Sequence, residues 1–190
     1  MPLNVACVVI ASEKRLELLD TQVLPSVLVA PFLEVVVVGD YHEGAGYRYL
    51  PVPPLTATTT DALVKRDVGT LATTAPWIFY LCDDHALRGW SEPPTKPQVI
   101  GVPLRYSTDA EGTVHLCNAG LDERDPYAPY IGGHAGLFSR HLIMQRPWSA
   151  MPHHRNWDLI ISRIHVAMGA RLEPSTWRVE DLEPEARPWG

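Results

Sequence analysis

One segment of this chain, residues 77–82 (WIFYLC), has no charged side chain and is followed directly by Asp83, Asp84 and His85. Its length is that of one β-strand, and the absence of charge predicts a strand at the centre of a sheet that is covered on both faces. In open α/β sheets, ligands bind outside the carboxyl ends of such strands. The acids and the imidazole at the end of this run therefore mark a candidate functional site.

Two earlier segments, residues 5–11 and 33–40, are rich in β-branched residues and also predict strands. Between them, the pattern predicts a helix over residues 12–29, with Ser12 as its N-cap and an end or a kink at Pro25. A strand, a helix and a strand in this order predict a right-handed crossover and a parallel strand pair.

The rest of the chain continues the alternation of helices, strands and loops, and no linker divides it. The predicted elements are a loop over 41–60, a helix over 61–73, a proline-rich loop over 91–97, strands over 99–104 and 113–117 joined by a turn at 109–112, a glycine-dense loop over 130–138, and helices over 139–145 and 156–169. We therefore predict a single α/β domain over residues 1–172, built on a mixed, mostly parallel sheet that is flanked by helices. Residues 173–190 carry three prolines among several acids and are predicted to be a tail on the surface.

Length, charge and cysteine content exclude several classes of protein. The chain has 190 residues, which suits one domain, and its formal net charge of −6 without a dense run of Lys or Arg does not favour wrapping a polyanion. The cysteines, Cys7, Cys82 and Cys117, lack the C-x-x-C spacing of a zinc site or a redox pair, which predicts free thiols in a reducing compartment. Neither a signal peptide nor a membrane-spanning segment is evident, so we predict a soluble, cytoplasmic protein.

Two adjacent carboxylates at the end of a buried strand repel each other. A divalent metal ion relieves that repulsion, and a metal ion at this position is able to hold a diphosphate. The alternative is that Asp83 and Asp84 form a solvated turn between the strand and the next loop. The pair alone does not decide between these interpretations.

The order of several motifs along the chain allows a comparison with a known family. The motifs are Ser12-Glu13 after the first strand, Asp40 after the second, Arg66-Asp67-Val68-Gly69 in a helix, Cys82-Asp83-Asp84 at a strand end, Gly132-Gly133-His134 in a loop, and Trp157-Asp158-Leu159 at a helix start, followed by Arg163 and Gly169. This order resembles that of the GT-A glycosyltransferases, and specifically their family-2-like inverting branch. The chain departs from the family at Asp67, where the family has Asn, and at Cys82, where the metal motif of the family has its first acid.

The resemblance implies an enzyme that transfers a sugar from a nucleotide-diphospho-sugar to an acceptor hydroxyl with inversion. It implies that Asp158 is the catalytic base and that Asp84 and His85 hold a divalent ion, Mn²⁺ or Mg²⁺, with the imidazole favouring Mn²⁺ slightly. The implied donor contacts are Ser12, Asp40, Arg66 and Asp83. The implied acceptor contacts are Gly133, His134 and Trp157.

Each of these assignments has a structural alternative. Asp158 is also suited to capping the helix that it begins, and Asp40 is also suited to an ordinary turn at a strand end. Lys65 and Arg66 would fit a solvated helix face. Ser12 is compatible with a helix cap and a nucleotide contact at the same time.

Two other functions are compatible with the sequence. One is a nucleotidyltransferase of similar fold, although residues 12–16 lack the glycines of the usual loop in such enzymes. The other is a non-catalytic module that binds a nucleotide-sugar, which Cys82 in place of an acid favours. A saccharide, a protein, a small metabolite and a hydroxylated DNA base are all compatible acceptors. The compact, proline-rich chain would suit an accessory enzyme of a virus or a bacterium.

Overall fold

The computed structural model of this chain describes residues 2–39, 44–54, 58–116, 131, 135–150 and 157–183, with the backbone alone at 58–60 and 157. Its strands are β1 (Leu3–Ile10), β2 (Phe32–Gly39), β3 (Arg48–Pro51), β4 (Trp77–Cys82), β5 (His85–Gly89), β6 (Val99–Thr108), β7 (Val114–Leu116), β8 (Ala135–Ser139) and β9 (Arg171–Asp181). Its α-helices are α1 (Leu16–Leu18), α2 (Leu24–Leu28), α3 (Thr58–Ala72), α4 (Arg140–Gln145) and α5 (Trp157–Ala167). None of the helices in these ranges is both long and apolar enough to span a lipid bilayer.

The strands form one sheet in the order β3-β2-β1-β4-β8-β6-β9-β5, and β7 pairs with β6. The pairs β1–β2, β1–β4, β2–β3 and β6–β9 are parallel. The pairs β4–β8, β5–β9, β6–β7 and β6–β8 are antiparallel. The predicted mixed α/β class and the parallel β1–β2 pair are confirmed. The prediction of a mostly parallel sheet is wrong, because antiparallel pairs equal parallel ones among the strands described.

Two apolar cores cover the two faces of the sheet. On one face, Leu19 and Val23 from the connection between β1 and β2 share a core with Phe79 of β4. On the other face, Leu63 of α3 and Ile161 of α5 share a core with the alternate residues of β1, β2 and β4. The chain runs outward from β1 through β2 to β3 and then returns to the other side of β1 at β4, so the strand order reverses between β1 and β4. Right-handed crossovers in opposite directions place the β1–β2 and β3–β4 connections on opposite faces of the sheet. Such a reversal leaves a crevice at the carboxyl ends of the two strands.

The connection between β1 and β2 is helical, as predicted, but it is not one regular helix. A 3₁₀ turn at Glu13–Arg15 leads through α1 into a π-helical turn at Leu19–Val23 and then into α2. Pro25 lies in the first turn of α2. A proline cannot donate to the carbonyl four residues before it, and its ring needs extra room there. The wider π-helical turn directly before α2 provides that room, so the chain changes helix type instead of ending.

The predicted turn at 109–112 and the predicted helices over 139–145 and 156–169 are confirmed. The turn between β6 and β7 closes with a hydrogen bond from the N–H of Gly112 to the carbonyl of Asp109 at 3.0 Å. Ser139 caps α4, since its hydroxyl accepts the N–H of Leu142 at 3.3 Å. Gly169 follows α5 with a φ of +91°, the left-handed conformation that glycine adopts without strain at a helix end.

Three shorter strands lie in segments that were not predicted to be strands. β3 and β5 stand at the two ends of the strand order, where little apolar sequence is needed. β8 replaces part of the predicted glycine-dense loop, and its Gly136 has a packing role. A Cβ at that position would lie 2.7 Å from the ring of Phe138 and 3.1 Å from Ile131. The glycine therefore permits a crowded central strand rather than a loop.

The predicted surface tail is wrong for residues 173–181. These residues form most of β9, which pairs with β6 on one side and β5 on the other. The buried residues Trp177, Val179 and Asp181 alternate with more exposed ones, so one side of the strand faces the core. The ring of Trp177 lies 4.6 Å from that of Phe79, centroid to centroid. The sheet thus continues past the predicted domain boundary at residue 172.

The apolar residues of helix α3 indicate only part of the face that contacts the sheet. Leu63 is buried, but Leu71 is 67% exposed, whereas Lys65 and Arg66 are almost completely buried. Gly69 lies against β1 and β2, so close that a Cβ there would overlap Cγ1 of Val8. The close approach at Gly69 therefore fixes which side of α3 is buried.

Candidate functional site

The candidate site lies at the carboxyl ends of β1 and β4, where the parallel pairing of Ile10 with Cys82 aligns the two ends. Ser12 follows β1 and Asp83 follows β4. Ser12 donates two hydrogen bonds to Oδ2 of Asp83, from its backbone N–H at 2.6 Å and from its hydroxyl at 2.7 Å. Ser12 holds the cap position of the 3₁₀ turn, as predicted, but its hydroxyl does not cap that turn. Two of the predicted donor contacts therefore lie together.

A guanidinium group faces the acid pair. Arg15, in the 3₁₀ turn after β1, has Nη1 3.4 Å from Oδ1 of Asp83 and Nη2 3.7 Å from Oδ2 of Asp84. Its Nε donates to Oε2 of Glu183 at 2.8 Å, just beyond β9. The two aspartate side chains are only 5% and 7% exposed, while that of Arg15 is 35% exposed. Arg15 and Glu183 thus form the outer layer of the site over buried carboxylates.

His85 is completely buried as the first residue of β5. Its Nδ1 makes a hydrogen-bond contact with Oδ1 of the adjacent Asp84. The carbonyl of Asp84 accepts the N–H of Leu182 at 2.9 Å, and His85 stands opposite the buried Asp181 in the β5–β9 pair. The ends of β4 and β9 and the start of β5 therefore converge on the acid pair.

The acid pair was predicted to hold a divalent metal ion, and carboxylate oxygens are suitable ligands for Mg²⁺ and Mn²⁺. In the structure, the oxygens of Asp83 accept from Ser12 and face Arg15, and Oδ1 of Asp84 contacts His85. In the part of the chain described, no three His, Cys, Asp or Glu side chains have the arrangement of a metal site. Each carboxylate oxygen of the pair faces Ser12, Arg15 or His85, so these groups as arranged do not fit a divalent ion, and the structure gives no support for the predicted Mn²⁺ or Mg²⁺ ion.

Burial raises the pKa of Asp83 above its ordinary value, although the hydrogen bonds from Ser12 and the charge of Arg15 oppose this shift. A carboxyl whose pKa is higher in the folded state binds its proton more tightly there than in the unfolded state. The wild-type protein therefore loses stability as the pH rises from the ordinary carboxyl pKa through the raised one. Asp83→Asn removes this titration, so its stability relative to wild type should increase as the pH rises, as measured by urea unfolding at a series of pH values.

Glu34 provides a control of opposite sign, remote from the acid pair. Burial raises its pKa, but hydrogen bonds from Thr74 and Ala75, with the charge of Arg48, outweigh burial and leave the pKa lowered. Its carboxylate is thus favoured in the folded state, and this stability is lost as the pH falls through the lowered pKa. Glu34→Gln should lose stability relative to wild type as the pH rises. If the stabilities of the two variants relative to wild type changed with pH in the same direction, this account of Asp83 would be wrong.

Two cations of α3 lie beside the ends of the same strands. Nζ of Lys65 donates to the carbonyl of Ala11 at 3.0 Å and lies 2.7 Å from Oδ2 of Asp61. The guanidinium of Arg66 lies 6.0 Å from the ring centre of Tyr80 and 5.5 Å from that of Trp148. The alternative of a solvated helix face is therefore wrong for both cations. A donor contact by Arg66 stays a prediction, because the described contacts of its guanidinium are within the protein.

Asp158 lies in the first turn of α5, where its Oδ1 accepts the N–H of Leu159 at 2.8 Å. This contact supplies a partner to one of the N–H groups that a helix start leaves unpaired, so the structural alternative is realised. β4 and β6 run in the same direction, because both are antiparallel to β8, and β9 is parallel to β6. Because α5 packs on the sheet and ends just before β9 begins, its start is directed toward the edge at which β4 ends. A role as catalytic base stays a prediction.

Several predicted site residues lie outside the described part of the chain. Asp40, Gly133 and His134 belong to these, and so does the side chain of Trp157, whose backbone begins α5. Their predicted donor and acceptor contacts stay predictions.

Arg15 and Glu183 are site residues that sequence reasoning missed. Arg15 was considered only within residues 12–16, in the comparison with nucleotidyltransferases, and Glu183 was assigned to the tail. The alternation of Trp177 and Val179 with polar residues was the available signal, since it indicates a strand. A strand there would have carried Glu183 to the edge of the sheet.

The fold and the site define an α/β protein whose acid pair lies at the position where ligands bind in open sheets. No model of a known protein family matches the chain, and no curated protein sequence matches it significantly. The resemblance to GT-A glycosyltransferases therefore depends on the order of the motifs, and the activity that it implies is treated below as a proposal.

Proposed function

We propose that this protein is an inverting glycosyltransferase that binds a nucleotide-diphospho-sugar at the carboxyl ends of β1 and β4. The main support is the contact of Ser12 with Asp83 at the crevice where the strand order reverses. In open α/β sheets, this is the position at which nucleotides bind. The free thiols of Cys7 and Cys82 agree with the accompanying proposal that the enzyme acts in a reducing cytoplasm.

The proposed reaction needs a base on the side of the sugar opposite the leaving group. The carboxylate of Asp158 takes the proton of the acceptor hydroxyl, and the hydroxyl oxygen bonds to the anomeric carbon. The bond between that carbon and the diphosphate oxygen breaks, and its electron pair leaves with the nucleoside diphosphate. Asp158 is half-buried in a helix whose start is directed toward the same edge of the sheet as the end of β4. This arrangement supports a shared cleft, and no step of the proposal depends on a metal ion.

Thermal unfolding tests the donor site. The protein should be heated with UDP-, GDP-, CDP- and TDP-sugars in turn, each with Mn²⁺ and, separately, with EDTA. A donor at about 100 times its Kd should stabilise the folded state by about 2.7 kcal/mol. For a chain of this size, that corresponds to a Tm increase of roughly 5–10 °C. The matched nucleoside monophosphates are the control and should raise the Tm much less. If none of the four classes of donor raises the Tm, the proposal is wrong.

The contacts of Arg15 with both aspartates favour a second candidate, a module that binds a nucleotide-sugar without turning it over. In that case the acid pair would have a structural role. Assays of donor hydrolysis and of transfer to saccharide, protein and hydroxymethylated DNA acceptors separate the two candidates. Tight donor binding without turnover on any acceptor would support the module.

A further inference from the structure

Arg15 occupies the position beside the acid pair for which a metal ion was predicted. Its three nitrogens face three carboxylates: Nη1 lies 3.4 Å from Asp83, Nη2 lies 3.7 Å from Asp84 and Nε lies 2.8 Å from Glu183. A guanidinium carries five N–H donors in a fixed plane and keeps its charge at any physiological pH. It is therefore suited to contact several carboxylates at once, although its single charge offsets only one of theirs.

We infer that Arg15 supplies the fixed positive charge of this site in place of a divalent metal ion, and that it faces the diphosphate of a nucleoside diphosphate ligand. The identity of the ligand rests on the proposed function, whereas the charge balance within the site does not. The planar fork of a guanidinium pairs with two phosphate oxygens at once. The exposed fraction of the Arg15 side chain, 35%, leaves part of it accessible to such a ligand.

The contacts of the acid pair explain why Arg15 and a divalent ion exclude each other. Mg²⁺ binds carboxylate oxygens at about 2.0–2.1 Å and needs near-octahedral space around it. Nη1 and Nη2 of Arg15 already lie beside one oxygen of each aspartate, and Ser12 and His85 contact the other oxygens. A metal ion would have to displace a cation that is also held by Glu183. Loss of the Arg15 charge should therefore convert the acid pair into a divalent-ion site.

Electron paramagnetic resonance of free Mn²⁺ tests the charge balance without any nucleotide. Arg15→Gln should bind one Mn²⁺ at least about tenfold more tightly than wild type. The double variant Arg15→Gln with Asp83→Asn should lose that gain.

Lys14→Gln is the matched control, because it removes the same charge from an exposed position in the same 3₁₀ turn, and it should bind Mn²⁺ as wild type does. Circular dichroism checks that each variant is folded. If folded Arg15→Gln binds Mn²⁺ no better than wild type, the inference is overturned.

The wild-type protein provides a second measurement that needs no variant to fold. The protein should be titrated calorimetrically with UDP, GDP, CDP and TDP. The nucleotide that binds should have the same Kd in EDTA and in Mn²⁺, within about twofold. Arg15→Lys keeps the positive charge but loses the planar fork of the guanidinium, so it should weaken the binding of that nucleotide by roughly tenfold or more. A wild-type protein that binds the nucleotide only with Mn²⁺ would overturn the inference. If no nucleotide binds at all, the proposed function and the ligand of Arg15 both fail, and the Mn²⁺ measurement still decides the charge balance.

Discussion

Asp158→Asn is expected to lower the rate of sugar transfer about 10²–10⁴-fold, the contribution typical of a general base. The amide cannot take the proton of the acceptor hydroxyl. It keeps an oxygen that is able to accept the N–H of Leu159, so the start of α5 should be preserved. Donor affinity should change little, because the base acts on the acceptor. The measurements are kcat with the donor identified by thermal unfolding and the donor Kd by calorimetry.

Two further variants separate the chemical role of Asp158 from its structural one. Asp158→Ala removes both the base and the contact with Leu159, so it should lose activity and also about 1 kcal/mol of stability. Glu17→Gln removes an exposed carboxylate from α1 and should leave the rate unchanged. A transfer rate of Asp158→Asn equal to that of wild type would mean that Asp158 only stabilises the helix start, and that the base is another residue.

The central strands could be predicted from the sequence because their burial on both faces requires uncharged residues. β9 could not be predicted with the same rule, since Glu173 and Pro174 interrupt it and its burial is confined to one side. β8 was hidden by its glycine, which indicates a loop in sequence but serves close packing in the structure. In both cases the segment becomes a strand because it pairs with neighbouring strands, and those neighbours are distant in the chain.

The site was predictable only where the backbone determines it. Ser12 and Asp83 follow adjacent parallel strands, so their proximity follows from the topology. The direction of the Arg15 side chain does not follow from it, because Arg15 is long and flexible and one of its partners, Glu183, is 168 residues away. The burial of Arg66 depends similarly on two aromatic rings supplied by other elements. Local sequence contains none of this information.

Gly69→Ala is expected to destabilise the protein by about 1–3 kcal/mol, the usual cost of overpacking. In an exposed helix, the same change would stabilise by about 0.5–1 kcal/mol, because alanine is the better helix former. Here the new methyl group would overlap Cγ1 of Val8 and lie 3.3 Å from Cγ2 of Val38. Helix α3 would have to move away from β1 and β2. Urea unfolding, with the midpoint and slope analysed together, measures the loss.

A double-mutant cycle with Val8→Ala identifies the cause of that loss. Val8→Ala alone leaves a cavity beneath α3 and should cost about 2–3 kcal/mol. When Val8→Ala is combined with Gly69→Ala, the new methyl group occupies part of that cavity. The double variant should therefore lose less stability than the sum of the two single losses, by at least about 1 kcal/mol.

Val9→Ala is the matched control, because Val9 is equally buried in the same strand but belongs to the core on the opposite face. Its effect should add to that of Gly69→Ala. If the Val8 cycle is additive as well, the contact between α3 and β1 is not what requires a glycine, and the loss would then have to come from Val38 or from α3 itself.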